Sequence, residues 1–152
     1  QFCRLLHVMC DTAEKNGIAV LLEPLGPRYT NFIHTIGQAA ELCQSLRKDN
    51  LFVMCDLRHM VDSGDDFRNI IRCRDYLRHV HIDNPLLYPR RIYPSLCDGY
   101  DYSGYFQALK EIDYRGTLTV EAEVPEDFAG SFREMEEFLA YYQVPLGTGE
   151  KG

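Results

Sequence analysis

The sequence predicts an α/β fold in which the strands of a parallel sheet alternate with helices. Two apolar runs, IAVLLEPL and LFVMCD, are hydrophobic on both faces, as expected of strands buried within a parallel sheet. Segments with apolar residues at helical spacing lie between such runs, and no linker rich in Pro, Gly or Ser interrupts them. With 152 residues, of which 45% are hydrophobic, the chain has the size and composition of one globular domain.

The first half of the chain is predicted to run helix, strand, helix, strand. Apolar residues at helical spacing predict an opening helix, which Gly17 is suited to end. The run IAVLLEPL predicts a first strand over 18–23, broken by Pro24. Thr35 is suited to cap a second helix, and LFVMCD then predicts a second strand over 51–56.

The second half is predicted to repeat this pattern. Asp65 and Asp66 are suited to begin a helix that continues through Leu77, because acidic side chains are favourable at a helix N-terminus. The segment HVHID predicts a third strand over 79–83, and a long loop and another helix follow it. The segment TLTVEAEV predicts the fourth strand over 117–123.

The chain is predicted to end with a helix and a polar tail. Apolar residues at helical spacing predict the last helix from about Glu126. The glycine-rich residues 146–152, LGTGEKG, are predicted to be disordered. The folded domain is therefore expected to comprise residues 1–145.

Composition argues against several classes of partner. A formal net charge of −7 repels phosphate backbones, so a nucleic-acid partner is not expected. No run of about 18 apolar residues is present, so no membrane span is expected. The six cysteines contain no Cys-x-x-Cys pair, which argues against a disulfide framework or a thiolate zinc site and favours a reducing, cytoplasmic location. A small molecule is the expected partner.

Each predicted strand ends on a side chain that can bind a metal ion. A doubly wound sheet and a (β/α)₈ barrel both fit the pattern, but the glycine-rich loop typical of the former is missing after the first strand. In a barrel the chemistry lies at the carboxyl ends of the strands, where this chain has Glu23, Asp56, His81 and Glu121. Three carboxylates and an imidazole at one point favour a divalent cation such as Mn²⁺, Mg²⁺ or Co²⁺. Alternatively, each polar residue marks only where the chain emerges into solvent.

Four motifs together resemble a known family. LLEPLGPRYTNFIHT, CDLRHM, HVHID and YRGTLTVEAE are similar to strand-end motifs of the xylose isomerase-like TIM barrels, the sugar (phosphate) isomerase and epimerase superfamily that includes tagatose 3-epimerase-like enzymes. The resemblance implies that the chain is the carboxyl-terminal half of a (β/α)₈ barrel, strands five to eight. The start of the chain inside a predicted helix likewise indicates a piece of a longer protein.

The resemblance also implies roles for individual residues. It makes four residues the metal ligands, with Mn²⁺ as the expected ion and Mg²⁺, Co²⁺ or Zn²⁺ as alternatives: Glu23, Asp56, His81 and Glu121. Glu23 and Glu121 are also expected to act as the acid–base pair. His59 is expected to contact a substrate hydroxyl, and Arg91 a sugar oxygen or phosphate, with Arg90 an equal candidate by position.

Several residues have a simpler structural interpretation. His59 is alternatively a cap of the next helix, and His79 is expected to pack behind the sheet. Glu123 lies past the expected strand end and is the less favoured ligand. The loop from Asn84 to Asp101 carries tyrosines that could form either a stacking lid or ordinary packing. These are Tyr88, Tyr93, Tyr100 and Tyr102.

The function implied by the resemblance is a divalent-metal-dependent sugar isomerase or epimerase. It would act on a sugar or sugar phosphate by proton transfer next to a ketose carbonyl, through a metal-stabilised enediolate. The alternatives are a keto-polyol dehydratase of the same superfamily and a non-catalytic half-barrel, and the apurinic-site endonuclease of this family is disfavoured by the acidic composition. A half-barrel leaves two strand edges unpaired, so the chain is expected to require the missing half or self-association and to be inactive alone.

Overall fold

A computed structural model describes residues 1–144 and contains one four-stranded sheet. The strands are β1 Val20–Leu22, β2 Leu51–Asp56, β3 Leu77–Ile82 and β4 Thr117–Val120. The helices are α1 Phe2–Glu14, α2 Ile36–Leu46, α3 Leu57–Ser63, α4 Arg68–Arg72, α5 Ser103–Glu111 and α6 Phe128–Tyr141. All neighbouring strands are parallel, in the order β1-β2-β3-β4. The predicted alternation of four parallel strands with helices is therefore confirmed, whereas the predicted tail 146–152 lies outside the described residues.

Strand alternation gives the two faces of the sheet different roles. The side chains of Val53, Cys55, Val80 and Ile82 are fully buried in the hydrophobic core, which also contains residues of α2, α5 and α6. On the other face, Asp56 pairs in register with His81. Because successive side chains alternate, this second face carries the polar strand ends.

Two helical boundaries differ from the sequence-based expectation. The structure places the unpredicted helix α3 directly after β2, where Asp56 both ends the strand and caps the helix by accepting a hydrogen bond from the backbone N–H of His59. The prediction that the next helix continues through Leu77 is wrong, because α4 ends at Arg72. Leu77 instead begins β3, where it is buried opposite Val53.

The two edge strands are shorter than predicted, because each pairs on one side only among the described residues. Strand β1 covers Val20–Leu22 instead of 18–23, and β4 ends at Val120 instead of residue 123. In addition, no helix within residues 1–144 is long and apolar enough to cross a bilayer.

The predicted cap of the second helix is present as a capping box. The Thr35 hydroxyl accepts from the backbone N–H of Gln38 at 3.2 Å, and Gln38 Oε1 accepts from the backbone N–H of Thr35 at 3.3 Å. We expect Thr35→Ala to lower the free energy of unfolding by about 1 kcal/mol, measured by urea denaturation. Ser45→Ala, on the exposed face of the same helix, serves as the control. Equal values for the two variants would contradict a stabilising cap.

Candidate metal centre

The carboxyl ends of the four strands bring together four candidate ligands. Glu23, Asp56, His81 and Glu121 each offer one ligand atom, and these four atoms lie within 4.8 Å of one another. His81 Nδ1 is 3.0 Å from Glu121 Oε2, 3.8 Å from Asp56 Oδ2 and 4.0 Å from Glu23 Oε1. All four predicted metal ligands therefore converge on one point.

Strand register explains this convergence. Asp56 and His81 are direct neighbours on β2 and β3. Glu23 and Glu121 each follow the last residue of an edge strand, β1 and β4 respectively. The backbone N–H of Glu121 donates to the Ile82 carbonyl at 3.1 Å, which continues the pairing of β3 with β4 up to the site. Because parallel strands end at the same edge of a sheet, these side chains meet there.

Asp56 is buried and uses both carboxylate oxygens. Oδ1 accepts from the backbone N–H of His59 at 3.2 Å, and Oδ2 accepts from Arg91 Nη1 at 2.9 Å. Burial tends to raise the pKa of Asp56, but the charge of Arg91 and the hydrogen bond from its guanidinium oppose burial, and the pKa lies below its ordinary value. Asp56 is therefore ionised at neutral pH, as a metal ligand must be.

Glu23 has the features of a cation ligand. Its Oε1 is buried and has no hydrogen-bond partner among the described residues. Burial raises the pKa of Glu23, and the negative charges of Asp56 and Glu121 raise it further. An unpaired buried oxygen beside two more carboxylates and an imidazole fits a hard divalent cation, which would satisfy the oxygen and offset the repulsion. The residues present therefore fit a bound metal ion.

Of the two candidate arginines, the structure places Arg91 in the site. Arg91 Nη1 lies 2.9 Å from Asp56 Oδ2 and 3.0 Å from Glu121 Oε2. Arg90 points outward, where its exposed guanidinium lies 3.5 Å from the exposed carboxylate of Glu123. Glu123 is therefore separate from the metal-binding group, as its position in the sequence indicated.

His59 lies beside the metal-binding group and contacts the Arg91 guanidinium. Its Nδ1 accepts from the backbone N–H of Gly26 at 3.3 Å, and its Nε2 is 3.2 Å from Arg91 Nη2 and 4.0 Å from Glu23 Oε1. Burial lowers the pKa of His59, and the charges of Arg91 and Arg58 lower it further despite the opposing charge of Asp56. Nε2 faces the site and lies against the Arg91 guanidinium, which has only N–H donors. The alternative that His59 caps α3 is wrong, because Asp56 is the cap.

The expectation that His79 packs behind the sheet is also wrong. Alternate residues of a strand share a face, so His79 lies on the same face as His81, with ring centroids 5.0 Å apart. His79 Nε2 is 3.1 Å from Thr119 Oγ1. Thr119 is the β4 residue in register with His81, and His79 lies two residues before His81 on β3. His79 therefore belongs to the layer of side chains beneath the site.

The loop tyrosines divide between packing and the site. Tyr102 is fully buried and packs edge-on against Phe138 and Tyr100, which makes these two tyrosines part of the core packing. Tyr88 is half exposed and lies 6.0 Å from Tyr29, whose ring packs edge-on against His59. Tyr93 packs partly buried against the core, so Tyr88 is the loop tyrosine that approaches the functional residues, through Tyr29.

Sequence reasoning missed a buried ion pair next to the site. Arg58 and Asp83 are 2% and 0% exposed, and Arg58 Nε donates to Asp83 Oδ2 at 2.7 Å. Burial raises the pKa of Asp83, and the Arg58 guanidinium opposes that rise. Their sequence positions beside predicted site residues could have indicated the pair, since Arg58 precedes His59 and Asp83 lies two residues after His81. Recognising the pair required knowing that α3 begins at residue 57 and turns Arg58 toward β3.

Comparison with known proteins identifies the family. A sequence profile of the xylose isomerase-like TIM barrel matches residues 1–142. An L-ribulose 3-epimerase from Methylomonas sp. (strain DH-1) is 29% identical over 115 residues, covering 75% of this chain and 38% of that protein. A 3-dehydro-D-guloside 4-epimerase from Escherichia coli (strain K12) is 28% identical over 132 residues, covering 85% of this chain and 48% of that protein.

Solved structures give the same result for the fold. The crystal structure of 3-keto-D-glucoside 4-epimerase from E. coli, in its apo form, superposes with a TM-score of 0.77 at 27% identity over 91% of this chain and 52% of that one. The chain thus spans about half the length, or less, of the proteins it matches. Its four parallel strands are correspondingly part of a barrel. With the profile match covering nearly the whole chain, the protein belongs to the xylose isomerase-like TIM barrel family.

Proposed function

We propose that the protein supplies the metal-binding half of a divalent-metal-dependent sugar epimerase or isomerase. The observation that carries this proposal is the convergence of the four ligand atoms within 4.8 Å at the carboxyl edge of the sheet. Relatives that are named as epimerases at 28–29% identity support the reaction class. Mn²⁺ is the proposed ion, because the group offers carboxylate oxygens and one imidazole nitrogen.

Glu23 and Glu121 are the proposed acid–base pair. They follow the two edge strands, β1 and β4, so their carboxylates approach the ligand cluster from opposite sides. Epimerisation requires removal of a proton from one side of a carbon and its return from the other. Burial raises the pKa of Glu23, which makes its carboxylate a stronger base. A bound divalent cation would stabilise the negative charge that develops on the substrate oxygens.

His59 and Arg91 are the proposed substrate-binding residues. His59 Nε2 and the guanidinium of Arg91 face the same space beside the four ligands. The guanidinium donates, so it suits the carbonyl oxygen of a ketose or the oxygens of a sugar phosphate, and the imidazole suits a substrate hydroxyl, which can both donate and accept. The substrate is thus proposed to be a small sugar or sugar phosphate, in a protein that acts in the cytoplasm.

The proposed activity requires the opposite wall of a barrel. Strands β1 and β4 each pair on one side only among the described residues. Several large apolar side chains on the first and last helices and near β1 are exposed, including Leu5, Val8, Ile18, Leu21, Phe128 and Phe132. These surfaces support assembly with a second half-barrel, from a longer chain or from another molecule, and the isolated chain is proposed to be inactive.

Metal binding and a substrate panel test the proposal. After treatment with a chelator, the chain is titrated with Mn²⁺ in a calorimeter, and a complete-barrel form is assayed with ketoses and their phosphates. We expect one Mn²⁺ per site and interconversion of a ketose. Absence of divalent-metal binding would instead favour a non-catalytic half-barrel. Binding of three Zn²⁺ ions per site would favour an endonuclease. Loss of water from a keto-polyol without epimerisation would favour a dehydratase.

A further inference from the structure

We propose that Arg58 is a positioning residue that holds Arg91 in the site. This assignment rests on the proposed function for the role of Arg91 itself, whereas the anchoring of the loop can be measured without any activity. Arg58 touches none of the four candidate metal ligands through its side chain. Its bonds go to Asp83 and to the backbone of the loop that carries Arg91.

The Arg58 guanidinium is fixed by burial and by a charged partner. Nε donates to Asp83 Oδ2 at 2.7 Å, and both side chains are almost fully buried. Nη2 donates to the carbonyl of Asn84 at 2.6 Å and to the carbonyl of Arg90 at 2.8 Å. One planar guanidinium therefore joins the end of β3 to the residue immediately before Arg91. A lysine ammonium, a single point of charge, cannot present this fork to three acceptors.

The backbone around Arg91 is held at three successive carbonyls. The Arg90 carbonyl accepts from Arg58 Nη2, the Arg91 carbonyl from the backbone N–H of Glu123 at 2.8 Å, and the Ile92 carbonyl from the backbone N–H of Asn84 at 3.0 Å. The donors come from α3, from the chain after β4 and from the chain after β3. Arg58 is the one side chain among these three donors, so a substitution can remove its contribution while the backbone bonds remain possible.

This anchoring explains how an irregular segment can present a functional side chain. Residues 83–102 contain no helix or strand, yet the Arg91 side chain is only 20% exposed and contacts Asp56 and Glu121. Substrate-binding groups must be held to within about 0.5 Å of the productive geometry. We infer that the Arg58–Asp83 pair supplies this precision, because Arg58 holds the Arg90 carbonyl and Asp83 Oδ2 lies 3.6 Å from Arg91 Nη1.

Hydrogen exchange measures the anchoring directly in the isolated chain. Arg58→Lys should increase the exchange of the Asn84 and Glu123 amides by about 10- to 100-fold, as loss of charge-assisted hydrogen bonds implies. Trypsin should also cut the Arg90–Arg91 bond faster, because the Arg90 carbonyl is then released. Exchange within β2 should stay unchanged. Arg78→Lys is the matched control, since Arg78 lies on β3 away from the loop and bonds to the Leu77 carbonyl.

A second variant covers the possibility that Arg58→Lys unfolds the chain. Arg58→Met combined with Asp83→Leu removes the buried pair without leaving one charge unpaired, which keeps the fold accessible. This double variant should show the same local increase in exchange at residues 84–92. Unchanged exchange and unchanged tryptic cleavage in both folded variants would overturn the proposal.

A kinetic cycle connects the anchoring to Arg91. In a complete-barrel form with ketose activity, Arg58→Lys should raise KM about tenfold, and adding it to Arg91→Lys should cost little more. Additive effects would refute the assignment to Arg91, even if the loop becomes mobile. An absence of activity in the unmodified complete barrel would count against the proposed function, and the exchange experiment would still decide the anchoring.

Discussion

Glu121→Gln is expected to reduce ketose turnover in a complete barrel by about 100- to 10,000-fold, the contribution of a positioned acid or base. The amide cannot exchange a proton, and it removes one negative charge from the metal-binding group. The fold should remain intact because the Glu121 side chain is 45% exposed and bonds only at the site. Turnover is measured with saturating Mn²⁺, and thermal unfolding checks the fold.

Glu123→Gln is the matched control for this experiment. Glu123 lies two residues further along the same segment, but its carboxylate is exposed and lies 3.5 Å from the exposed guanidinium of Arg90. Its turnover should stay close to that of the unmodified protein. Near-normal turnover in the Glu121→Gln variant, or an equal loss in both variants, would show that Glu121 is not the acid–base residue.

Glu23→Gln is expected to stabilise the metal-free chain and to weaken Mn²⁺ binding by more than about 100-fold. Loss of a residue that only hydrogen-bonds to a metal ligand costs less than this. Burial and two neighbouring carboxylates raise the pKa of Glu23 in the folded chain, so its ionised form opposes folding. The stabilisation should therefore be absent well below pH 4.5, where the carboxyl is protonated in both states, and should grow as the pH rises through the raised pKa.

Thermal unfolding with and without Mn²⁺ measures both effects of Glu23→Gln. For the unmodified chain, Mn²⁺ at 100 times its dissociation constant should add about 2.7 kcal/mol of stability, and this gain should vanish in the variant. Glu41→Gln, an exposed substitution on α2, controls for the loss of one negative charge. A variant that is less stable without metal would contradict the raised pKa of Glu23, and one that keeps the full Mn²⁺ effect would contradict its ligand role.

The parts of the fold and site that depend on strand patterns were predictable from the sequence. The runs IAVLLEPL and LFVMCD, apolar on both faces, predicted the parallel sheet, and Asp56 and His81 near the carboxyl ends of two strands predicted the edge where these residues meet. The bounds of β1 and β4 were less predictable, because an edge strand is defined by a neighbour that the sequence does not reveal. Helix α3 was missed because its seven residues carry no long apolar repeat.

The rest of the site depends on contacts that no periodicity records. Arg58 and Asp83 are 25 positions apart, and their pairing follows from the way α3 leaves β2 beside the end of β3. The sequence offered Arg90 and Arg91 as equal candidates because both lie in an irregular loop. Their separation into an outward and an inward side chain results from the backbone bonds at residues 90–92.

The double use of Asp56 limits how this site can diverge. One oxygen caps α3 and the other faces the metal-binding group, so natural selection for stability and selection for chemistry act on the same side chain. A descendant that has lost catalysis can exchange Glu23 or Glu121 for many residues. At position 56 it can change only to another residue that caps a helix, such as Asn, Ser or Thr, without losing the first turn of α3. Asn at this position, with Glu23 replaced, would therefore mark a homologue that has kept the fold and abandoned the reaction.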